Sequence, residues 1–447
     1  MVTTEATAPP QEGDAGMLVD RPLYMERIAR YIDAPMVKVL TGLRRSGKSR
    51  LLELTAGLLR QRGVPAERIL RLDFDALELE PLRSAAALNE HLKQVLPSEG
   101  RVYVLLDEIQ EVAGWERLVN SLVAAGRTDV YITGSNSNLL SSELATYIAG
   151  RYITIEVWPL SFREHLAFTA QFPAREGQDY GDAPTAVGND TAQFPVRVGR
   201  SAGNEAEFGR YLRRGGFPGI AVAGFNDTDA RAATADIYRS TLIRDALTRR
   251  AVRDAELFER VAAFALDNVG NPFSARRVAA CLKSQNRAVS HQTVANYLAA
   301  LEEAFVLARV PRYDIRGKAL LATEEKHYAG DHGLVQALFG YSDQRLPGLL
   351  ENIVWAELRR RGWEVRIGKV GAAEVDFVAD RQSDRLYVQV AVTVLASAET
   401  RRREYAPLEQ IRDSFPKYVL TLDPAAGDRT NGIQHQRLPD FLLSDAY

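Results

Sequence analysis

A glycine-rich motif of eight residues restricts this chain to a small set of folds. The motif reads Gly42-Leu43-Arg44-Arg45-Ser46-Gly47-Lys48-Ser49 and fits the pattern G-x-x-x-x-G-K-[ST]. An apolar run that ends at Leu40 precedes it, and a helical run over 51–59 follows it. Glycines let backbone N–H groups curl around a phosphate, and the start of a helix favours an anion. The sequence therefore predicts a strand, a phosphate-binding loop (a P-loop, or Walker A motif) and a helix, in that order.

The motif predicts a role in nucleotide binding for two side chains. Lys48 is expected to reach the β- and γ-phosphates of ATP, and the Ser49 hydroxyl is expected to ligate Mg²⁺. A glycine-rich turn that binds no ligand is the alternative. The strand before the motif and the helix after it argue against that alternative.

Two adjacent carboxylates, Asp107 and Glu108, follow a second apolar run over 102–106. Asp107 at the tip of this strand is expected to bind Mg²⁺ through water, and Glu108 is expected to polarise the attacking water. Acids after a strand also cap helices, which is the other interpretation. A P-loop upstream favours the catalytic one, and a glutamate beside Asp107 favours hydrolysis over nucleotide binding alone.

Two further residues are candidates because of their position at strand ends. Ser135 and Asn136 close the fourth strand and lie beside the γ-phosphate if that strand is inserted between the P-loop strand and the Asp107 strand. We interpret one of them as a polar sensor, with a plain turn as the alternative. Arg151 precedes the fifth strand, from where it is able to reach a nucleotide on a neighbouring subunit as an arginine finger. A positive charge that satisfies a helix C-terminus is the other interpretation of Arg151.

Composition excludes several classes of protein. Of 447 residues, 46% are hydrophobic and 26% charged, as in ordinary globular chains. The 56 Lys and Arg residues nearly balance the 58 Asp and Glu residues, which excludes a histone-like polycation. A single cysteine, Cys281, excludes a disulfide framework within the chain. Apolar runs fall short of the roughly 18 residues that span a membrane, and the N-terminus lacks the apolar core of a signal peptide. We therefore expect a cytoplasmic protein without a membrane partner.

Several of these stretches together resemble the AAA-type ATPases of bacteria and archaea. The stretches are the P-loop, 105–108, 132–136, 150–151 and 159–162. The resemblance is closest to a group whose C-terminal half was long called a domain of unknown function, and it continues through 215–218, 331–334, 350–354, 374–377 and 387–390. It implies an α/β fold with the strand order 5-1-4-3-2, a helical lid after the fifth strand, and assembly into a ring or another homo-oligomer.

Changes in composition and periodicity predict six segments. Strands that are nearly all apolar and alternate with helices indicate a parallel sheet covered on both faces. The expected segments are a disordered tail at 1–18, a nucleotide-binding domain at 19–168, a mobile insertion at 169–207, a helical lid at 208–253, a winged helix at 254–345 and a restriction-endonuclease-like α/β domain at 346–447.

The predicted winged helix carries a modest positive charge. Residues 270–326 contain nine Lys or Arg against five Asp or Glu. The stretch Ser290-His291-Gln292-Thr293 begins the helix that reads bases in such folds, and Arg309, Arg312, Arg316 and Lys318 lie on the wing. DNA contact and packing against protein are equally compatible with this pattern.

The last segment resembles the arrangement of restriction endonucleases, but it lacks part of their set of catalytic side chains. Glu351 on a helix and Glu374 with Asp376 on a strand supply carboxylates of the kind that converge on Mg²⁺. On the next strand, Gln389 stands where an acid is expected and Ala391 where a lysine is expected. The sequence therefore favours a degenerate nuclease site, although a lysine from elsewhere, such as Lys369, would restore it.

These features favour an Mg²⁺-dependent ATPase that hydrolyses ATP to ADP and phosphate. Hydrolysis would move the winged helix and the nuclease-like domain on DNA or on a protein client. Two alternatives remain, namely an ATP-gated metal-dependent nuclease and a non-catalytic nucleotide switch in a defence or toxin–antitoxin system.

Overall fold

The computed structural model describes residues 19–135, 150–172, 202–247, 252, 254–285, 287 and 289–447. The predicted tail at 1–18 and most of the predicted insertion, 173–201, lie outside these residues. The described residues form two compact units. One contains 19–41, 47–134 and 150–155, and the other contains 42–46, 135 and those residues of 156–447 that the structure describes.

The first unit is built on a five-stranded sheet. Its strands are β1 (Val37–Thr41), β2 (Ile69–Asp73), β3 (Val102–Asp107), β4 (Thr128–Gly134) and β5 (Tyr152–Glu156). They are ordered β2-β3-β4-β1-β5, with parallel pairing between β2 and β3, β3 and β4, and β4 and β1. The strand order 5-1-4-3-2 expected from the resemblance is confirmed.

The described part of the first unit contains four α-helices, namely α1 (Pro22–Arg30), α2 (Lys48–Gln61), α3 (Ala85–Val95) and α4 (Trp115–Ala124). All residues of β1 and β3 are buried, which explains why these runs lack polar alternation. Because the strands are parallel, their carboxyl ends meet at one edge of the sheet. Thr41 of β1 pairs with Gly134 of β4, and Asp73 of β2 pairs with Asp107 of β3 at this edge.

The second unit contains most of the helices. They are α5 (Phe162–Gln171), α6 (Ala202–Arg214), α7 (Pro218–Ala223), α8 (Asp227–Thr241), α9 (Ala255–Asp267), α10 (Ala275–Ser284), α11 (His291–Glu303), α12 (His332–Phe339), α13 (Leu346–Arg360), α14 (Ala398–Glu409) and α15 (Leu438–Leu443), with a π-helical turn at Leu242–Leu247 after α8. Several begin where the sequence offers a cap: Ser274 and Ser290 each accept a hydrogen bond from the third helical residue. No helix in the described part of the chain is both long enough and apolar enough to cross a membrane.

An eight-stranded sheet runs through the second unit. Its strands are β6 (Leu307–Asp314), β7 (Ala319–Ala329), β8 (Glu364–Val370), β9 (Ala373–Arg381), β10 (Asp384–Val390), β11 (Lys417–Thr421), β12 (Arg429–Thr430) and β13 (Ile433–Arg437). The order is β12-β13-β11-β10-β9-β8-β6-β7. Strands β8, β9 and β10 form an antiparallel meander, and β11 lies parallel to β10.

The hairpin β6–β7 belongs to the same sheet as the C-terminal strands. Strand β6 pairs in parallel with β8, so that Arg312 is opposite Ile367. The sheet therefore continues across residue 345, where the sequence predicts a boundary between two domains. Strands so far apart in the chain leave no local pattern that reveals their pairing.

Candidate functional site

The glycines of the motif adopt backbone conformations that other residues rarely adopt. Gly42 has φ +146° and Gly47 has φ +99°, and between them Arg45 has φ +63°. A Cβ atom at Gly42 would lie 2.1 Å from the carbonyl oxygen of Val157, so no side chain fits there. The loop is therefore a tight turn of the kind that directs successive backbone N–H groups toward an anion.

Helix α2 begins directly after this turn. Gly47 occupies the N-cap position, and the helix runs for 14 residues from Lys48. Lys48 is buried and Ser49 is half-buried. The first turn of a helix offers backbone N–H groups that have no acceptor within the helix, together with the positive end of its dipole. The motif thus places the start of a helix where the sequence predicts a phosphate.

Asp107 at the end of β3 is fully buried and held by Thr133 of β4. The Thr133 hydroxyl donates a hydrogen bond to Oδ1 of Asp107 and accepts one from the backbone N–H of Glu108 at 3.0 Å. One threonine therefore positions both predicted acids. The sequence shows Thr133 only as part of the fourth strand and does not single it out.

Asp107 has the properties of a ligand for a hard cation. Its Oδ2 is buried, and no hydrogen bond of normal geometry reaches it from the described residues. Burial raises the pKa of this carboxyl, the hydroxyls of Thr133 and Ser49 lower it, and the carboxylates of Asp73 and Glu108 raise it further. A buried oxygen acceptor beside the Ser49 hydroxyl fits Mg²⁺, which prefers oxygen ligands.

Such an ion would need oxygen ligands from beyond the protein. Within the described residues, no group of three or more His, Cys, Asp or Glu side chains is arranged to hold a metal ion. Mg²⁺ usually binds through one or two protein groups, several waters and substrate phosphates. The pair Ser49 and Asp107 matches that sparse pattern.

Glu108 leaves the strand in a left-handed conformation, with φ +50°. Its side chain is half-buried, and its Oε2 accepts a hydrogen bond from Nε2 of Gln110. Gln110 is a second residue that the sequence does not point to. It lies in the short helical turn Ile109–Glu111, which follows Glu108 directly. The Glu108 carboxylate is therefore held in one orientation.

Ser135 contacts a residue of the region predicted as the lid. Its hydroxyl donates a hydrogen bond to Oδ1 of Asp245 at 3.1 Å, and Nη1 of Arg44 lies 3.8 Å from the same oxygen. Asp245 is buried in the π-helical turn Leu242–Leu247. It therefore joins the predicted sensor to an arginine of the P-loop. The other predicted sensor, Asn136, lies outside the described residues.

Arg151 lies at the surface next to the sheet. Its backbone carbonyl accepts a hydrogen bond from the N–H of Val37 at 2.9 Å, which anchors it beside β1. Its side chain is exposed. Residues 136–149, which end two positions before it, are outside the described part of the chain. Its role as an arginine finger stays a prediction.

Two of the wing arginines form ion pairs within the second unit. Arg309 lies 3.7 Å from Glu302 and 3.5 Å from Glu325, and Arg312 lies 3.4 Å from Glu374. Their charges are therefore already balanced by neighbouring acids. Arg309 is nevertheless exposed, so DNA contact through the predicted wing stays a prediction.

The C-terminal acids meet around a lysine that the sequence does not predict. Glu351, Glu374 and Asp376 surround the ammonium group of Lys326, which lies on β7. Gln389, the residue in place of the expected acid, donates a hydrogen bond from Nε2 to Glu404 at 3.0 Å. The structure thus brings the predicted acids together, with Lys326 rather than Lys369 between them.

Comparisons with known proteins relate this chain to a family. A family model described as an AAA domain matches residues 34–166, and one described as a domain of unknown function (DUF8612) matches 205–345. An uncharacterized protein of Haemophilus influenzae is 33% identical over 427 residues, which cover 95% of this chain and 99% of that protein. The chain belongs to this AAA-domain family. Every residue predicted to act on ATP lies within the AAA domain, between 34 and 166.

Other proteins are less similar to this AAA-domain protein. The uncharacterized protein MJ1544 of Methanocaldococcus jannaschii is 27% identical over 336 residues, covering 73% of this chain and 67% of that protein. A solved Walker-type ATPase of Pyrococcus abyssi is 15% identical, with a TM-score of 0.47 over 71% of this chain and 95% of that one. The match to the domain of unknown function spans the segments predicted as lid and winged helix, and the last 102 residues lie beyond both family models.

Proposed function

We propose that this AAA-domain protein is an Mg²⁺-dependent ATPase that hydrolyses ATP to ADP and phosphate. One observation carries the proposal: a fully buried carboxylate oxygen of Asp107, without a well-formed hydrogen bond from the described residues, lies beside the Ser49 hydroxyl. A buried acceptor of this kind is costly unless a ligand satisfies it. A magnesium ion brought in with ATP satisfies it.

Five residues of the first unit have a role in this mechanism. Lys48 and the first backbone N–H groups of α2 bind the β- and γ-phosphates. Ser49 and Asp107 hold the metal, which when bound neutralises charge on the phosphate oxygens. Glu108 accepts the proton of the attacking water, and Thr133 keeps both acids in position through its two hydrogen bonds.

Two residues extend the site beyond one nucleotide pocket. Ser135 responds to the γ-phosphate, and its hydrogen bond to Asp245 transmits that response to the π-helical turn after α8. Arg151 reaches the nucleotide of a neighbouring subunit and stabilises the charge that develops during hydrolysis. The active form is therefore a homo-oligomer.

ATP hydrolysis in this proposal repositions the winged helix and the nuclease-like domain on a client, which is DNA or a protein. ATPase rates measured with and without DNA distinguish the two clients. A non-catalytic switch is favoured instead if no phosphate is released under any DNA or protein stimulation. An ATP-gated nuclease is favoured if plasmid is cut with Mg²⁺ or Mn²⁺ and Asp376→Ala abolishes the cutting.

Two variants test the ATPase assignment directly. Lys48→Ala is expected to abolish ATP binding, because it removes the positive charge at the phosphates. Glu108→Gln is expected to bind ATP normally and to lose at least ~100-fold in turnover, the usual contribution of a general base. ATP affinity by calorimetry and phosphate release measure the two effects.

Matched controls lie on helix α3 of the same unit. Lys93→Ala and Glu90→Gln make the same chemical changes at exposed positions, so both variants should behave as wild type. Wild-type turnover in both Lys48→Ala and Glu108→Gln would remove the assignment.

A further inference from the structure

The C-terminal acids of the second unit enclose a single ammonium group. Nζ of Lys326 lies 2.9 Å from Oε1 of Glu374, 3.1 Å from Oε2 of Glu351 and 3.6 Å from Oδ1 of Asp376. The lysine side chain is only 4% exposed. It comes from hairpin strand β7, whereas the acids come from helix α13 and strand β9. One cation thus joins three elements of the sheet region.

The chain supplies further donors to the same carboxylates. The Tyr328 hydroxyl donates a hydrogen bond to Oε2 of Glu351 at 2.8 Å, and the backbone N–H of Val390 donates one to Oδ2 of Asp376 at 2.8 Å. Nη2 of Arg312 lies 3.4 Å from Oε2 of Glu374. Each of the three acids therefore already has donors from the protein as well as the ammonium group.

Three carboxylates that converge on one buried point, with Asp376 itself buried, need a positive charge there. A charge removed from water is tolerated only if it is paired and hydrogen-bonded. In metal-dependent nucleases the compensating charge is a divalent cation. Here Lys326 supplies the compensating charge, because its compact ammonium group has three donors and faces three acceptor oxygens.

The residues around Lys326 favour a charged ammonium group at this position. Burial lowers the pKa of Lys326, but Glu351, Asp376 and Glu374 together raise it above its ordinary value. Burial raises the pKa of Glu351 and of Asp376, and the ammonium group of Lys326 acts in the opposite direction on both. Gln389 directs its amide to Glu404 and adds no carboxylate. Among the described residues, no set of three or more acids, histidines or cysteines is arranged around a vacant metal position.

We propose that the ammonium group of Lys326 is the resident cation of this cluster, standing where a nuclease-like domain would hold Mg²⁺. A lysine that restores a nuclease site would stand beside the metal, whereas the ammonium group of Lys326 lies between the acids, where the metal itself would bind. In this assignment the C-terminal region therefore binds no divalent metal and cuts no nucleic acid. Instead, the ion pairs of Lys326 stabilise the packing of strand β7 against α13 and β9. This assignment does not depend on the ATPase proposal, because it concerns a separate set of residues.

Manganese binding without nucleotide tests the assignment. Mn²⁺ bound to the full-length chain is counted by electron paramagnetic resonance, in an Asp107→Asn background that removes the metal ligand of the ATPase site. This background is expected to bind no Mn²⁺. Adding Lys326→Ala is expected to open a site for about one Mn²⁺ per chain, and adding Glu351→Gln is expected to close it again. Lys283→Ala, at an exposed position, is the matched control.

Thermal unfolding gives a second readout if Lys326→Ala folds poorly. Lys326→Met keeps much of the side-chain volume without the charge, so its unfolding midpoint should fall below that of wild type and rise again with Mn²⁺. A midpoint that Mn²⁺ leaves unchanged would overturn the assignment. Mn²⁺ bound by the Asp107→Asn chain with Lys326 in place, and lost on Asp376→Asn, would overturn it as well, as would plasmid cleavage that depends on Asp376.

Discussion

Thr133 is the residue on which both acids of the proposed ATPase site depend. Its hydroxyl donates to Asp107 and accepts from the backbone N–H of Glu108. We expect Thr133→Val to remove both hydrogen bonds while nearly keeping the shape of the side chain. The loss of one or two such bonds costs about 1–3 kcal/mol, which corresponds to about a fivefold to 150-fold lower kcat.

ATP affinity should change less than kcat in Thr133→Val, because Lys48 and the loop bind the phosphates. Thr133→Ser keeps the hydroxyl and is the conservative control, with kcat close to wild type. Steady-state phosphate release over a range of ATP concentrations separates kcat from KM. Equal impairment of the serine and valine variants would show that the hydroxyl is not what positions the acids.

At the scale of elements, the loop between β1 and α2 depends on glycine at one position. Gly42 has φ +146°, and a Cβ atom there would lie 2.1 Å from the Val157 carbonyl oxygen. We expect Gly42→Ala to displace the loop, to lower the thermal unfolding midpoint and to weaken ATP binding at least tenfold. Both the backbone strain and the steric overlap act in this direction.

Helix α2 provides the matched control for Gly42→Ala. Gly57 lies inside this helix, and a Cβ atom there meets nothing within 4 Å. Gly57→Ala should stabilise the protein by up to about 1 kcal/mol, since alanine favours a helix over glycine. Differential scanning calorimetry and ATP titration measure both variants. Normal ATP binding by Gly42→Ala would contradict the role given to the loop.

At the scale of the whole molecule, the proposal for Arg151 requires more than one chain. Lys48→Ala lacks a working P-loop, and Arg151→Ala lacks the finger for its neighbour. We expect each variant to be inactive alone and a mixture of the two to recover activity. In random assembly, about a quarter of the contacts combine an intact P-loop with an intact finger.

Mixing Lys48→Ala with Glu108→Gln is the control, because both changes damage the same subunit's site and no combination restores it. Phosphate release is measured on mixtures, and mass is measured in ATP and in ADP. A monomer in every nucleotide state, or no recovery in the Lys48→Ala and Arg151→Ala mixture, would exclude a finger supplied by a neighbour.

The features of this protein that the sequence predicted most completely are those that depend on residues close together in the chain. The motif from Gly42 to Ser49 needs its glycines and lysine in fixed order, and the structure has the expected strand, turn and helix around it. The pair Asp107 and Glu108 was recognisable because a strand that ends in acids is visible within a few residues. The order of the five strands was predicted only from the resemblance to a family. Apolar runs indicate where strands lie in the chain but not which strands pair in the sheet.

Contacts between distant residues account for what the sequence could not provide. Thr133 and Asp107 are 26 positions apart, Ser135 and Asp245 are 110 apart, and Lys326 and Glu351 are 25 apart. Nothing in the neighbourhood of Lys326 marks it as the partner of three acids. By itself the sequence determined the strand, turn and helix around residues 42–49 and the strand that ends at Asp107, because these features depend on residues adjacent in the chain. Only the tertiary structure decided which lysine meets the C-terminal acids, because strand pairing brings those side chains together across segments with no local signal.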